Sequence, residues 1–175
     1  AYGVTSDEAR RFGLPCGGQL EVIVEADVPV ADLEALLGHI AGGRVIGRRV
    51  DLATGAWSFE PARPTDECVR AAGHFTSIHG PRWRMLIIGA SEIAHYLAEI
   101  ATTVDYQVSV CDPREEYRTA WRVPGTTFVE GMPDDAVVAF KPDGHTVILT
   151  VSHDPKLDDM ALLTALKSEA FYVGA

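Results

Sequence analysis

Leu86-Ile87-Ile88-Gly89-Ala90-Ser91-Glu92-Ile93-Ala94 joins a short apolar run to a segment of helical spacing through one glycine turn. A run ending in Gly and opening a helix is the context in which a dinucleotide-type turn works. Gly89 suits the tight turn, and Ala94 stands where a small residue lets helix and strand pack closely. Ser91 stands where a second glycine would normally let the backbone approach a pyrophosphate, and its side chain is expected in that space. The helix start presents free N–H groups and partial positive charge to an anion, and Glu92 sets a negative charge beside them. Asp112 follows 23 residues after Gly89, about where an acid holds a ribose hydroxyl in such folds. It serves equally as a plain strand-end cap. Arg114 is placed to face a phosphate.

Downstream, the same alternation continues. Ile93, Leu97, Ile100, Ala101 and Val104 share one helical face, which is expected to be the buried one. Tyr106–Cys111, Thr127–Val129, Thr146–Val151 and Phe171–Val173 read as further strands. A helix carrying Leu162, Leu163 and Leu166, capped by Asp158 or Asp159, precedes the last of them. Near-continuous apolar strands alternating with helices argue for an α/β fold, a Rossmann-like parallel sheet flanked by helices. The acidic pair Asp134-Asp135 reads as solvated loop charge. The chain stops directly after a strand of buried type, where such a sheet ordinarily continues into a helix. The expectation is a piece of a longer protein lacking its C-terminal helix.

Upstream, the character differs. Gln19–Glu25 alternates apolar and polar residues, the period of a half-buried strand. Val30, Leu33, Leu37 and Ile40 follow at helical spacing, with Gly42-Gly43 as the stop. Arg44–Asp51 and Ala56–Glu60 read as a hairpin around Ala53-Thr54-Gly55. Pro61, Pro64 and the polar residues after them read as a connection, and Gly73, Gly80 and Pro81 mark a domain boundary near residues 73–82. The expected division is a smaller α/β portion with its linker over residues 1–78 and the Rossmann-like domain over 79–175.

The composition bounds the partners. Of 175 residues, 15 are Lys or Arg and 25 are Asp or Glu, a formal charge of −10. Such a surface repels phosphate backbones, so no nucleic-acid role is expected. The apolar run Met85–Ile88 is far short of the roughly 20 residues that span a bilayer, so no membrane role is expected either. Three cysteines, Cys16, Cys68 and Cys111, without a CxxC, fit reduced thiols in a cytoplasmic protein better than a disulfide framework. His39, His74, His79, His95 and His145 lack ligand-like spacing, and no structural zinc is expected.

Two further clusters carry candidate chemistry. Gly13-Leu14-Pro15-Cys16-Gly17-Gly18 sets a thiol between a proline and two glycines. On a loop of that kind Cys16 can act as nucleophile, metal ligand or sulfur carrier, with Gly17 and Gly18 permitting close approach; it can also be a small buried hydrophobe. Ser152-His153-Asp154-Pro155-Lys156-Leu157-Asp158-Asp159 follows the most apolar strand. Polar residues past the carboxyl end of a parallel strand lie where open α/β sheets bind ligands. His153 is of the residue type that can titrate near neutrality, Lys156 can meet a phosphate, Asp154 can orient either, and Asp158 can face the cleft or cap the next helix.

Together and in this order, these features resemble the xanthine dehydrogenase accessory protein family (XdhC/CoxI). The resemblance rests on Gly13–Gly18 followed by Glu21–Glu25, on Leu86–Ala90, on Cys111-Asp112-Pro113-Arg114, and on His153–Asp159 running into Ala170–Ala175. Against the family pattern, Ser91-Glu92 replaces the usual Gly followed by His or Pro. The resemblance implies a maturation chaperone more than an enzyme. Such a protein binds molybdenum cofactor (molybdopterin) and helps sulfurate and insert it into a molybdenum hydroxylase client of the xanthine, aldehyde or carbon monoxide dehydrogenase type. A cysteine desulfurase is an implied partner, and a homodimer is an open possibility. It also implies that Cys16, Gly17 and Gly18 lie at the cofactor or sulfur site. By the same token Gly89, Ala90, Ser91, Asp112, Arg114, His153, Asp154, Lys156 and Asp158 line a cleft in the Rossmann domain. The residues leave two alternatives: an NAD(P)-dependent oxidoreductase, or a non-enzymatic nucleotide-binding regulatory domain.

Overall fold

The computed structural model describes residues 2–13, 18–20, 22–26 and 28–175. The chain opens with β1 (Tyr2–Val4), α1 (Ser6–Arg11) and β2 (Gly18–Leu20), with β1 and β2 antiparallel. Thr5 and Glu8 form a reciprocal capping box at the start of α1: Glu8 N–H donates to Thr5 Oγ1 at 3.2 Å and Thr5 N–H to Glu8 Oε2 at 2.8 Å. The strand expected over 19–25 stops at Leu20. Residues 22–26 are irregular and exposed. Glu25 leaves the ladder to meet Arg48 in a bidentate ion pair, at 2.6 and 2.8 Å.

Next come α2 (Val30–Ala41), β3 (Ile46–Asp51), β4 (Trp57–Pro61), β5 (Val69–Ala71) and β6 (His74–His79). The hairpin is present as read. Asp51 Oδ1 closes its turn by accepting from the amides of Ala53 and Thr54. The region read as a connection instead holds β5 and β6, and β6 pairs antiparallel with both β3 and β5 to give the order β4-β3-β6-β5. Their sequences alternate too weakly to stand out: β5 is exposed throughout and β6 is half-buried at every residue.

The second half is β7 (Arg84–Ile88), α3 (Glu92–Thr103), β8 (Gln107–Cys111), α4 (Glu115–Ala120), β9 (Thr127–Val129), α5 (Pro133–Phe140), β10 (Thr146–Thr150), α6 (Pro155–Ala165) and β11 (Tyr172–Gly174). The five strands form one parallel sheet in the order β11-β10-β7-β8-β9. The chain starts in the centre, winds to one edge, and returns beside its first strand, which is the doubly wound order. Leu86, Ile88 and Ile148 pack on one face with α5 and α6; Ile87, Val108 and Val110 pack on the other with α3. This is the expected Rossmann-like α/β sheet.

Two helices were not anticipated. α4 buries no residue and so has no apolar stripe to read. α5 begins with Pro133 in its first turn, and the pair Asp134-Asp135, read as loop charge, sits in that first turn, where acids complement the helix dipole.

The helix faces match the reading only in part: on α3, Ala101 is buried and Leu97 packs half-buried against the core. α3 buries Ala94, Ala98 and Ala101, while Ile93, Ile100 and Val104 are exposed. α2 buries Leu36 and exposes Val30, Leu33 and Leu37; α6 buries Leu157, Ala161 and Ala165 and exposes Leu163 and Leu166. On α3 and α6 alanines take most of the close contact with the sheet, where small side chains fit best. No helix among the described residues is long and apolar enough to cross a membrane.

Candidate functional site at the carboxyl ends of the parallel strands

β7 and β10 are neighbours in space but lead into helices on opposite faces, and their carboxyl ends form the switch point of the sheet. Gly89 leaves β7 with φ +99°. A Cβ built on it would lie 2.3 Å from Ser152 Cα and 2.6 Å from Ser152 N. The glycine is therefore required by the loop after β10, which passes directly over the turn. Val151 N–H donates to Ile88 O at 2.8 Å, and Gly89 N–H to Cys111 O at 2.8 Å. Three strand ends are thus tied together by backbone.

Ser91 is the N-cap of α3. Its Oγ accepts from Ala94 N–H at 3.3 Å and donates to Val151 O at 2.9 Å. Its side chain is buried, tied to Val151 O just past β10. Ala90 N–H donates to Asp112 Oδ2 at 2.9 Å.

Asp112 has a side chain with no solvent exposure and forms a bidentate pair with Arg114: Nε to Oδ1 at 2.9 Å and Nη2 to Oδ2 at 2.7 Å. The Arg114 amide also donates to Oδ1, at 3.0 Å. Burial pushes the carboxyl pKa up, but the Arg114 side chain and the Ala90 and Arg114 amides outweigh it, holding Asp112 below the usual carboxylate range. Asp112 is thus engaged at the strand end, as its capping alternative has it. Arg114, expected to face a phosphate, stacks over Tyr117 at 3.9 Å and reaches Ser152 O at 3.3 Å. It links the loops after β8 and β10.

After β10, Asp154 caps α6 by accepting from Lys156 N–H at 3.0 Å, with Pro155 in the first turn. Asp158 and Asp159 lie inside that helix and do not cap it; α6 starts earlier than read because Asp154-Pro155 supplies the cap and the fixed φ. Asp158 Oδ1 accepts from Ser152 N–H at 3.2 Å. His153, at φ +60°, and Lys156 are exposed, and neither side chain has a hydrogen bond or ion pair among the described residues.

The structure therefore brings Gly89, Ala90, Ser91, Asp112, Arg114, His153, Asp154, Lys156 and Asp158 to one end of the sheet. It divides them by task. Ser91, Asp112, Arg114, Asp154 and Asp158 hold the loops; the side chains of His153 and Lys156 stand unpaired at the mouth. Cys16 and Gly17 lie outside the described residues, and Gly18 begins β2. Of the other thiols, Cys111 is buried, with a pKa pushed by burial to about 11, and Cys68 is exposed. No three His, Cys, Asp or Glu side chains converge as metal ligands among the described residues.

Among the concavities of the described residues, two have little signal in the sequence. The larger, about 730 Å3, lies in the antiparallel half between residues 23–32 and the β3–β4 hairpin, with Arg48 and Trp57 in its wall. Arg48 is committed there to Glu25, and Trp57 Nε1–H donates to Asp32 at 3.1 Å. The second, about 300 Å3, adjoins the Gly89 turn between the start of α3 and the end of α4, with Glu92, His95, Tyr96 and Trp121 around it. The i, i+3, i+4 spacing of Glu92, His95 and Tyr96 was the available signal for one wall. Trp121, 25 residues beyond Tyr96, had none.

Comparison with known proteins bears on the fold. A crystal structure of a xanthine dehydrogenase from Bacillus halodurans is similar in fold, with a TM-score of 0.65 and 20% identity, over 82% of this chain and 51% of that one. ChuY from E. coli CFT073 gives a TM-score of 0.39 at 15% identity, over 52% of this chain and 46% of that one. The chain thus spans about half the length of these solved structures. No curated protein sequence matches. The model of the XdhC Rossmann domain matches residues 85–175, the same stretch that forms the parallel sheet, and the chain belongs to the XdhC family.

Proposed function

We propose that this chain acts in the maturation of a xanthine-dehydrogenase-type molybdenum hydroxylase, binding the molybdenum cofactor and presenting it to the client. The family match over residues 85–175 carries this reading. The site's chemistry supports it. The pterin of that cofactor bears a phosphate, and the mouth of the site offers the free Lys156 and His153 beside the amino ends of α3 and α6. The molybdenum favours sulfur ligands, which makes Cys16 the candidate contact for the metal or its added sulfur. When bound, the cofactor supplies the redox chemistry to the client; this chain's residues bind, orient and shield it. A cysteine desulfurase would furnish the sulfur. The commitment of Asp112 to Arg114 counts against a nicotinamide dinucleotide, since the acid that would hold a ribose is already paired.

The test is cofactor loading. The chain is expressed in a cofactor-producing host, purified and denatured, and the extract is oxidised. The fluorescent pterin product and molybdenum are then quantified. Pterin and metal in the wild type are expected, with Lys156→Gln lowering both and Cys16→Ala lowering the metal or its sulfuration in a folded protein. A wild-type chain carrying neither overturns the proposal. Unchanged loading and client activation in Cys16→Ala remove that thiol from it.

A further inference from the structure

We infer that the slot beside the Gly89 turn reads the 2-amino-4-oxopyrimidine edge of a planar bicyclic ring, the edge shared by pterins and guanine, with Glu92 as the specificity-determining residue. The inference deepens the proposed function, resting on a ligand that lies along that turn, and names the ring the site selects.

The slot is built from two elements. Glu92, His95 and Tyr96 stand on one face of the first turns of α3. Trp121, just past α4, stands opposite. The His95 ring lies 5.8 Å from Tyr96 and 5.9 Å from Trp121, edge-on to both. Trp121 is pinned by Nε1–H donating to Thr126 Oγ1 at 2.9 Å, and His95 by Glu99 at 3.3 Å. Tyr96 is 56% exposed, with the His95 ring edge-on beside it. Ala90 and Ala120 keep the interior of the slot open. The volume, about 300 Å3, is at the low end for small-ligand sites, which suits one ring system and not a whole dinucleotide. Aromatic walls hold any base by stacking and do not by themselves discriminate.

Discrimination comes from Glu92. Its side chain makes no hydrogen bond or ion pair among the described residues, in contrast to Asp112, Asp154 and Asp158 nearby. An ionised carboxylate only accepts, through two oxygens side by side. It therefore matches an edge offering two adjacent N–H donors. A pterin or guanine presents a ring N–H next to an exocyclic amino group. Adenine presents an acceptor next to its donor and would set a lone pair against one carboxylate oxygen. A site built for two donors rejects a ring lacking one of them.

The test is calorimetric titration of the chain, purified free of ligand, with guanosine monophosphate, adenosine monophosphate and 6-hydroxymethylpterin. The two nucleotides carry the same phosphate, so their ratio isolates the ring. Guanosine monophosphate is expected to bind at least roughly tenfold more tightly than adenosine monophosphate, the scale of one bidentate base contact. Glu92→Gln removes that preference, and Tyr96→Ala weakens all three ligands together. Both substitutions are at exposed positions, and circular dichroism checks the fold. The pterin arm separates the sources: pterin bound as well as guanosine monophosphate points to the cofactor's ring, and guanosine monophosphate alone to a guanine nucleotide. Equal affinity for the two nucleotides, an unchanged ratio in Glu92→Gln, or no heat with any of the three at millimolar concentration overturns the inference. Cofactor loading without ring preference sinks only the slot. Ring preference without loading sinks only the cofactor role.

Discussion

Replacing Asp112 by Ala tests whether the end of the sheet is held by one buried acid. The side chain takes four donor contacts: the Ala90 amide, and the amide, Nε and Nη2 of Arg114. Removing one partner of a buried ion pair costs about 3–5 kcal/mol. Arg114 keeps a quarter of its side chain exposed and can rehydrate, which places the loss near 3 kcal/mol, about the low end of that range. At about 2–4 °C per kcal/mol for a chain of this size, the unfolding midpoint should fall by roughly 6–12 °C. Thermal unfolding followed by circular dichroism measures it, and the double variant with Arg114→Gln should lose less than the sum of the single losses. The sign of the pH dependence follows from a depressed folded-state pKa. The contribution is complete above the unfolded value, about 3.9, and is lost as pH falls through the lower folded value. The gap between wild type and Asp112→Ala should therefore be constant from pH 5 to 8 and close below about pH 4. A midpoint shift below roughly 2 °C, less than 1 kcal/mol, would show that the pair does not hold these loops.

Three further outcomes follow from the packing. Gly89→Ala drives a Cβ into Ser152 at 2.3 Å and strains a φ of +99°; a loss above about 3 kcal/mol in denaturant unfolding is expected, and a neutral variant would contradict the crossing of the two loops. On α3, Ala98→Leu should cost about 1–3 kcal/mol by overpacking, whereas Ile100→Asp, at a residue 64% exposed, should stay within about 0.5 kcal/mol; the reverse order would restore the face that periodicity suggests. In a Cys16→Ser background, Ellman's reagent at pH 8 should react quickly with Cys68 and only after unfolding with Cys111, whose thiol pKa is about 11.

Some of this was written plainly in the chain. Strands buried on both faces are dense in apolar residues, so Met85–Ile88, Tyr106–Cys111 and Thr146–Val151 announce themselves, and the glycine between Ile88 and the next helix fixes the turn. The alternation of those runs with helices was enough for a parallel α/β sheet, and the polar run His153–Asp159 was enough to mark its carboxyl end. Periodicity, however, gives the spacing of a stripe and not its direction. On α3 the larger residues formed the more conspicuous stripe, yet the fully buried positions are Ala94, Ala98 and Ala101, with Leu97 half-buried beside them. Nor does a list of polar residues near one strand end say which are spent on structure. Asp112 and Arg114 are consumed by each other because the loops after β7, β8 and β10 converge there. His153, Lys156 and Glu92 stay free because no loop reaches them. Trp121 meets His95 across a slot formed by two helices that sequence does not connect. Local sequence determined which segments are strands, which turn is sharp and where polar groups cluster. Only the tertiary arrangement decided which of those groups face one another, because hydrogen-bond partners and burial depend on residues far away in the chain.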